Sequence, residues 1–249
     1  MARLILRDDD LNLNCIPSDL TPFFISSHLF DEVILSFVPF PCVDSSIGLC
    51  FDTLQKSGQV NYDFIAEVKK LLKRGNIKIG MHGVQHAGYG EFSKRIDIDN
   101  ILRAKKYLEN IFEVNVDIFT PPNNIISKEN FINIEAAGFK RIITAFSNWP
   151  HERPFHIKNF LHFLLSAILV ITKNKDKRIL IELHHGGLVE NQSFVAYTED
   201  DLFKLYDAIK YSLEIKNGDI YIATHYWEVW KSTPFQLIDI IKKIKKYLI

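Results

Sequence analysis

Short apolar, β-branched runs alternate along this chain with longer stretches whose apolar positions recur near every 3.6 residues. That alternation is the pattern of parallel strands joined by crossover helices. Strands are expected at residues 3–7, 32–37, 77–81, 116–120, 141–144, 178–183 and 219–224. Helical spacing occupies 61–74, 97–112, 128–137, 158–172 and 198–213, and a closing amphipathic helix covers 234–249 with Lys242, Lys243, Lys245 and Lys246 on its solvated side. Asn61 can cap one helix, and Gly75, Gly138 and Gly218 follow the ends of three.

No repeat, low-complexity tract or Gly/Ser linker divides the 249 residues. With 47% of them apolar the chain can bury a large core, so one α/β barrel-like domain spanning 1–249 is expected. In such folds reactive residues gather at the carboxyl ends of the strands. The apolar run at 160–172 contains His162 and is shorter than the ~18–20 residues that cross a bilayer, so it reads as a buried helix.

Thirty basic residues balance thirty acidic ones. This argues against a nucleic-acid footprint or adhesion to an acidic membrane, and favours a neutral or polar-uncharged partner. Cys15, Cys42 and Cys50 lack CxxC spacing, which disfavours a disulfide scaffold and a zinc-thiolate site. The first residues run directly into a short apolar segment ending in charge, without a signal-peptide core, so a cytoplasmic location is expected.

The polar clusters fall where expected strands stop: Asp8-Asp9-Asp10, Met81-His82-Gly83-Val84-Gln85-His86, Phe119-Thr120-Pro121-Pro122-Asn123 and Leu183-His184-His185-Gly186. Each alone is ordinary turn or loop chemistry. Two histidines with three residues between them can reach one ion, however, and an aspartate from a neighbouring strand completes a set of three ligands with positions left open for water and substrate. No GxSxG elbow for a serine mechanism is present.

In this order, the clusters resemble the motifs of the polysaccharide deacetylase family, called NodB-like or carbohydrate esterase family four. The first family motif, near Thr-Phe-Asp-Asp-Gly, is similar to Arg7-Asp8-Asp9-Asp10-Leu11. The resemblance implies Asp9 as catalytic base and Asp10 as metal ligand, with Asp8 and Asp9 as the alternative register. The second, His-Ser-x-x-His after Ile-Gly, resembles Ile79-Gly80-Met81-His82-Gly83-Val84-Gln85-His86 and supplies His82 and His86 as ligands. The third resembles Thr120-Pro121-Pro122-Asn123-Asn124 without its arginine, which in the family orients the base. Asn123 retains an amide for the oxyanion, and Arg7 or Arg153 are the candidates to replace the guanidinium. The Asp-Trp motif has no clear counterpart, although Trp149 lies in its region. The last motif resembles Glu182-Leu183-His184-His185, implying His184 as general acid, with His185 as the competing assignment and otherwise a substrate contact.

The implied fold is a distorted (β/α)7-type barrel. The implied activity is removal of an N-acetyl or O-acetyl group from a sugar or polysaccharide precursor, and the implied setting is bacterial surface-polysaccharide or O-antigen biosynthesis. The implied cofactor is a divalent ion, zinc first, with cobalt, nickel or iron also suited to imidazole and carboxylate ligands. Two alternatives remain: hydrolysis of a small non-sugar amide or imide, and a catalytically silent carbohydrate-binding relative. Thr224-His225-Tyr226-Trp227-Glu228 exceeds the family pattern. At a strand's carboxyl end, His225 and Trp227 are candidates for substrate binding, against a reading in which the aromatics are core.

Overall fold

The computed structural model describes residues 3–41, 60–86, 91–93, 95–122, 126–143, 189–190, 193–195, 219–226 and 234–248. Its strands are β1 (Leu4–Leu11), β2 (Glu32–Phe37), β3 (Ile77–His82), β4 (Ile118–Thr120), β5 (Arg141–Ile143), β6 (Val189–Glu190), β7 (Ser193–Val195) and β8 (Ile220–His225). They form one sheet in the order β6-β5-β4-β3-β2-β1-β8-β7, with every neighbouring pair parallel. The two edges, β6 and β7, are separated by only residues 191 and 192. Three residue steps span at most about 10 Å, so an eight-stranded sheet with these edges must curl on itself. The α/β barrel class expected from the sequence is therefore the observed one.

The helices with several turns follow the expected periodicity: α2 (Tyr62–Leu72), α3 (Ile98–Phe112), α4 (Lys128–Ala136) and α5 (Pro234–Leu248), preceded by one short helix, α1 (Thr21–Ser26). Their starts are polar caps. The Asn61 side chain accepts from Phe64 N–H at 3.1 Å, Asp97 from Asp99 N–H, and Ser127 from Asn130 N–H. Gly75 and Gly138, at φ 84° and 80°, take the left-handed conformation that ends α2 and α4. The expected strand at 178–183, the helices at 158–172 and 198–213, and Gly218 lie outside the described residues. Among the described residues no helix is long and apolar enough to cross a membrane.

Alternation along the strands separates two faces. Leu4 and Leu6 of β1, Val33, Leu35 and Phe37 of β2, and Ile77, Ile79 and Met81 of β3 join the main core with helix residues such as Phe64, Val68, Leu71, Ala104 and Leu108. The opposite face carries a second cluster of Ile5, Ile34, Ile118, Ile143 and Tyr221, one residue from each of five strands. This is the filling of the curled sheet's concave side. Gly80 leaves it room, because a Cβ there would stand 3.0 Å from Ile34 Cγ2.

Towards the amino ends of the strands the concave side is closed by charge. Glu32 is buried against Arg141, with Lys78 at 3.2 Å and Arg3 at 3.8 Å. Arg141 also donates from Nη2 to the Tyr221 hydroxyl at 2.9 Å. Towards the carboxyl ends the same face presents Arg7, Asp9, His82, Thr120 and His225. That end is the site.

Candidate active site

β1 extends through the three aspartates to Leu11 instead of stopping at Arg7. A regular strand would send Asp8 and Asp10 to one face and Asp9 to the other. An irregularity in the β1–β2 register between Asp8 and Leu11, with Asp10 at φ 70°, breaks that alternation. The strand thereby delivers all three carboxylates to buried positions with different partners.

Asp8 turns to β8. It accepts from Thr224 Oγ1 at 2.6 Å and from Tyr226 N–H at 3.1 Å. Complete burial pushes its carboxyl well above the usual carboxylate range despite the Thr224 hydrogen bond. Asp9 lies on the concave side, where its Oδ2 is 2.7 Å from Arg7 Nη2. The same guanidinium donates from Nη1 to the Ile143 carbonyl at 3.1 Å.

Asp10 meets the histidines. Its Oδ1 is 3.4 Å from His82 Nε2 and 3.4 Å from His86 Nε2, and its Oδ2 is 3.5 Å from His225 Nε2. Burial raises the Asp10 carboxyl, but His225, His82 and His86 together outweigh burial and hold it far below the usual range.

His82 closes β3, and its Nδ1 is 2.9 Å from the Thr120 carbonyl and 3.0 Å from the Thr120 hydroxyl. A carbonyl only accepts, so Nδ1 carries a proton, and Nε2, which faces Asp10, is the nitrogen that would give up its proton to bind an ion. Burial lowers the His82 pKa, yet Asp9 and Asp10 more than reverse this, leaving it above the ordinary histidine value. For His86 burial prevails and lowers it.

The turn between the histidines rests on two features. Gly83 adopts φ 68°, and a Cβ there would lie 2.4 Å from both Glu91 Oε2 and Pro122 Cγ. The Glu91 carboxylate accepts from three successive amides, Val84, Gln85 and His86, the last two at 2.9 Å. It thereby holds His86 at φ 53°, where a non-glycine residue is uncommon.

Asp10, His82 and His86 can each offer one ligand atom, with all three atoms within 4.8 Å of one another. Donors about 2.0–2.1 Å from a tetrahedral ion are about 3.4 Å apart, so the Asp10–His82 and Asp10–His86 separations suit a shared divalent cation. The neutral His82 tautomer, its second nitrogen held by Thr120, is the form a metal requires. The residues fit the ion that the sequence implied.

Of the sequence-expected site residues, Asp9, Asp10, His82, His86 and His225 thus stand together at one end of the sheet. Asn123, His184, His185 and Trp227 lie outside the described residues, as do Trp149 and Arg153. Tyr226 is core, 4% exposed, and so gives no surface for a sugar ring. Cys15 is buried and unpaired with another cysteine, while Cys42 and Cys50 lie outside the described residues. Thr120 and Glu91 escaped the sequence reading. Thr120 occupies the place of the motif-three arginine, and this departure was its only signal. Glu91 forms part of no local motif, and no sequence pattern marks it.

A polysaccharide deacetylase family model matches residues 43–142, whereas no curated protein matches the chain. Among solved structures, a family 4 acetyl xylan esterase from Clostridium thermocellum in complex with a cobalt ion is 12% identical, with a TM-score of 0.51 over 99% of this chain and 85% of that one. A variant of a Bacillus anthracis carbohydrate esterase family four pseudoenzyme with restored enzymatic activity is 11% identical, with a TM-score of 0.51 over 99% of this chain and 64% of that one. A 4-alpha-glucanotransferase from Thermococcus litoralis is 12% identical, with a TM-score of 0.50 over 98% of this chain and 38% of that one. At these identities the likeness is one of fold, and a glucanotransferase shares it, so reaction must be argued from the site. The family-model match covers less than half of the chain, and over residues 43–142 the sequence is similar to polysaccharide deacetylases, with a fold shared by the two esterase-family structures.

Proposed function

We propose that the chain is a metal-dependent hydrolase that removes an N-acetyl or O-acetyl group from a sugar or polysaccharide precursor. The observation that carries this reading is the pairing of two functions at one strand end. Asp10 faces His82 and His86 at ligand spacing, and the adjacent Asp9 is held by Arg7.

A divalent ion held by Asp10, His82 and His86, zinc first, would supply Lewis acidity for the acyl carbonyl and acidify a water molecule. Asp9 accepts the proton of that water. Its Oδ2 is committed to Arg7, so the guanidinium fixes the carboxylate while leaving Oδ1 for the water. Asn123 contributes a backbone amide to the developing oxyanion. His184 donates a proton to the departing nitrogen, because an amine leaves poorly unless protonated. His185 and Trp227 contact the saccharide, whereas His225 turns its Nε2 to Asp10 at 3.5 Å.

The test is acetate release from N-acetylated and O-acetylated sugars by metal-loaded protein, before and after treatment with a chelator. Chelator-sensitive release is expected. A chain that binds metal stoichiometrically but releases acetate from no saccharide, while opening a small cyclic amide, would shift the substrate class. Saccharide binding without metal or turnover would make it a silent relative.

A further inference from the structure

Asp10 has two carboxylate oxygens with different surroundings. Oδ1 faces the ligand nitrogens of His82 and His86, and Oδ2 faces His225 Nε2 at 3.5 Å. A monodentate metal-binding carboxylate must keep one oxygen on the ion, and a partner on the other oxygen sets its rotation. His225 comes from the last strand, far from Asp10 in sequence, and is placed there by the β1–β8 register that sets Asp9 beside it.

What holds His225 is itself specific. Asp8 accepts from Thr224 Oγ1 and from Tyr226 N–H, the residues immediately before and after His225. Tyr226 is anchored in the main core, and Thr224 is fully buried. The strand end therefore has little freedom to move His225 away from Asp10. In the proposed mechanism the base and ligand roles belong to its two neighbours, Asp9 and Asp10.

Resting on the metal-dependent reading above, we propose that Asp8 and His225 form an outer support for the metal carboxylate. Asp8 clamps the end of β8, the clamp presents His225 to Asp10 Oδ2, and this contact keeps Oδ1 turned to the two ligand histidines. The third aspartate of the triplet is then a positioning residue. His225 is a positioning residue as well, acting on the ion through Asp10.

The experiment measures cobalt(II) affinity of the full chain by competition with a chromophoric chelator, together with the visible absorption spectrum of the cobalt-loaded site. His225→Ala, Asp8→Asn and Thr224→Val should each weaken affinity by ~10- to 100-fold, the usual consequence of losing an outer-shell partner of a ligand. The band pattern should persist, because the ligand atoms are unchanged. His225→Gln, whose amide nitrogen can reach the position of Nε2, should recover most of the affinity. Thr224→Val keeps the shape of its residue and guards against misfolding of Asp8→Asn, with circular dichroism as the check on fold. Unchanged affinity in His225→Ala overturns the support role. Unchanged affinity in folded Asp8→Asn and in Thr224→Val overturns the clamp. A changed band pattern in His225→Ala makes the imidazole a ligand and also overturns the proposal. Wild-type protein that binds no cobalt overturns the metal reading itself, which separates that failure from failure of the support.

Discussion

Arg7 and Asp9 lie two residues apart on β1, on the same face, and the guanidinium of the first holds Oδ2 of the second at 2.7 Å while also donating to the Ile143 carbonyl of β5. The sequence left Arg7 and Arg153 as candidates for the role of the absent motif-three arginine. Of these, Arg7 has the geometry for it, since it is 1% exposed and already paired to the proposed base. A guanidinium binds two acceptors in one rigid plane, whereas an ammonium is a single mobile charge. Arg7→Lys is therefore expected to keep the metal and lose kcat, by up to the ~10²- to 10⁴-fold that a positioned general base contributes. Arg7→Met, which leaves a buried carboxylate without its cation, should lower unfolding free energy by about 3–5 kcal/mol. Steady-state kinetics with metal analysis, and urea denaturation at neutral pH, are the measurements. Wild-type turnover in Arg7→Lys would remove Arg7 from the mechanism.

Asp9→Asn and Asp10→Asn should separate cleanly. The first removes a proton acceptor and keeps the ligand set, so metal content should stay at one ion while turnover falls ~10²- to 10⁴-fold. The second should lose metal, as should His82→Ala. Elemental analysis of protein purified without chelators checks both. Metal loss that follows Asp9 would move the register by one and make Asp8 the base.

Metal and proton compete for His82. In the metal-free protein its pKa lies above the histidine value of 6.5, because Asp9 and Asp10 overcome the opposing effect of burial. Binding requires the neutral imidazole, so apparent metal affinity should be full at pH above the raised value and decline as pH falls through it. The decline should therefore begin on the alkaline side of 6.5. Competition titrations across pH 5–9 would show it, and affinity constant down to pH 6 would contradict the assignment of His82 as a ligand.

Gly83→Ala places a Cβ into contact with Glu91 Oε2 and Pro122 and forces a side chain onto a left-handed backbone. The backbone strain alone costs about 1–3 kcal/mol. Because Glu91 must move to accommodate the methyl, the amides of Gln85 and His86 lose their acceptor, and metal affinity should fall together with stability. Thermal unfolding and chelator competition on the same preparation test this. An alanine variant with both properties intact would show that the turn tolerates another conformation.

His184 is expected to act as general acid, and a lost acid should penalise amides more than activated esters, whose leaving groups need little protonation. His184→Ala should depress hydrolysis of an N-acetyl sugar by ~10²-fold or more while sparing much of the activity on an aryl acetate, with metal content unchanged. The same assays on His185→Ala and His225→Ala complete the comparison. An amide-selective loss confined to either of those would transfer the acid role to it.

The strand and helix pattern was legible along the chain because periodicity is a local property. β2 begins and ends where alternation says, α2, α3 and α4 start at Asn61, Asp97 and Ser127 because each side chain can cap the next turn, and Gly75 and Gly138 end two of them. The grouping of Asp10, His82 and His86 was legible too, since His82 and His86 share one turn and strand-end placement brings Asp10 to them. The partition of Asp8, Asp9 and Asp10 was not. Three identical carboxylates differ only in what they face, and that depends on the irregular end of β1, on Arg7 reaching Ile143 of β5, and on Thr224 and Tyr226 arriving from β8. The same holds for Thr120 behind His82 and Glu91 beneath the His86 turn. Apart from the Glu91 contact, which lies five positions from His86, these contacts join residues 38 to 218 positions apart, so no local pattern records them, and closure of the sheet brings the partners within hydrogen-bonding distance.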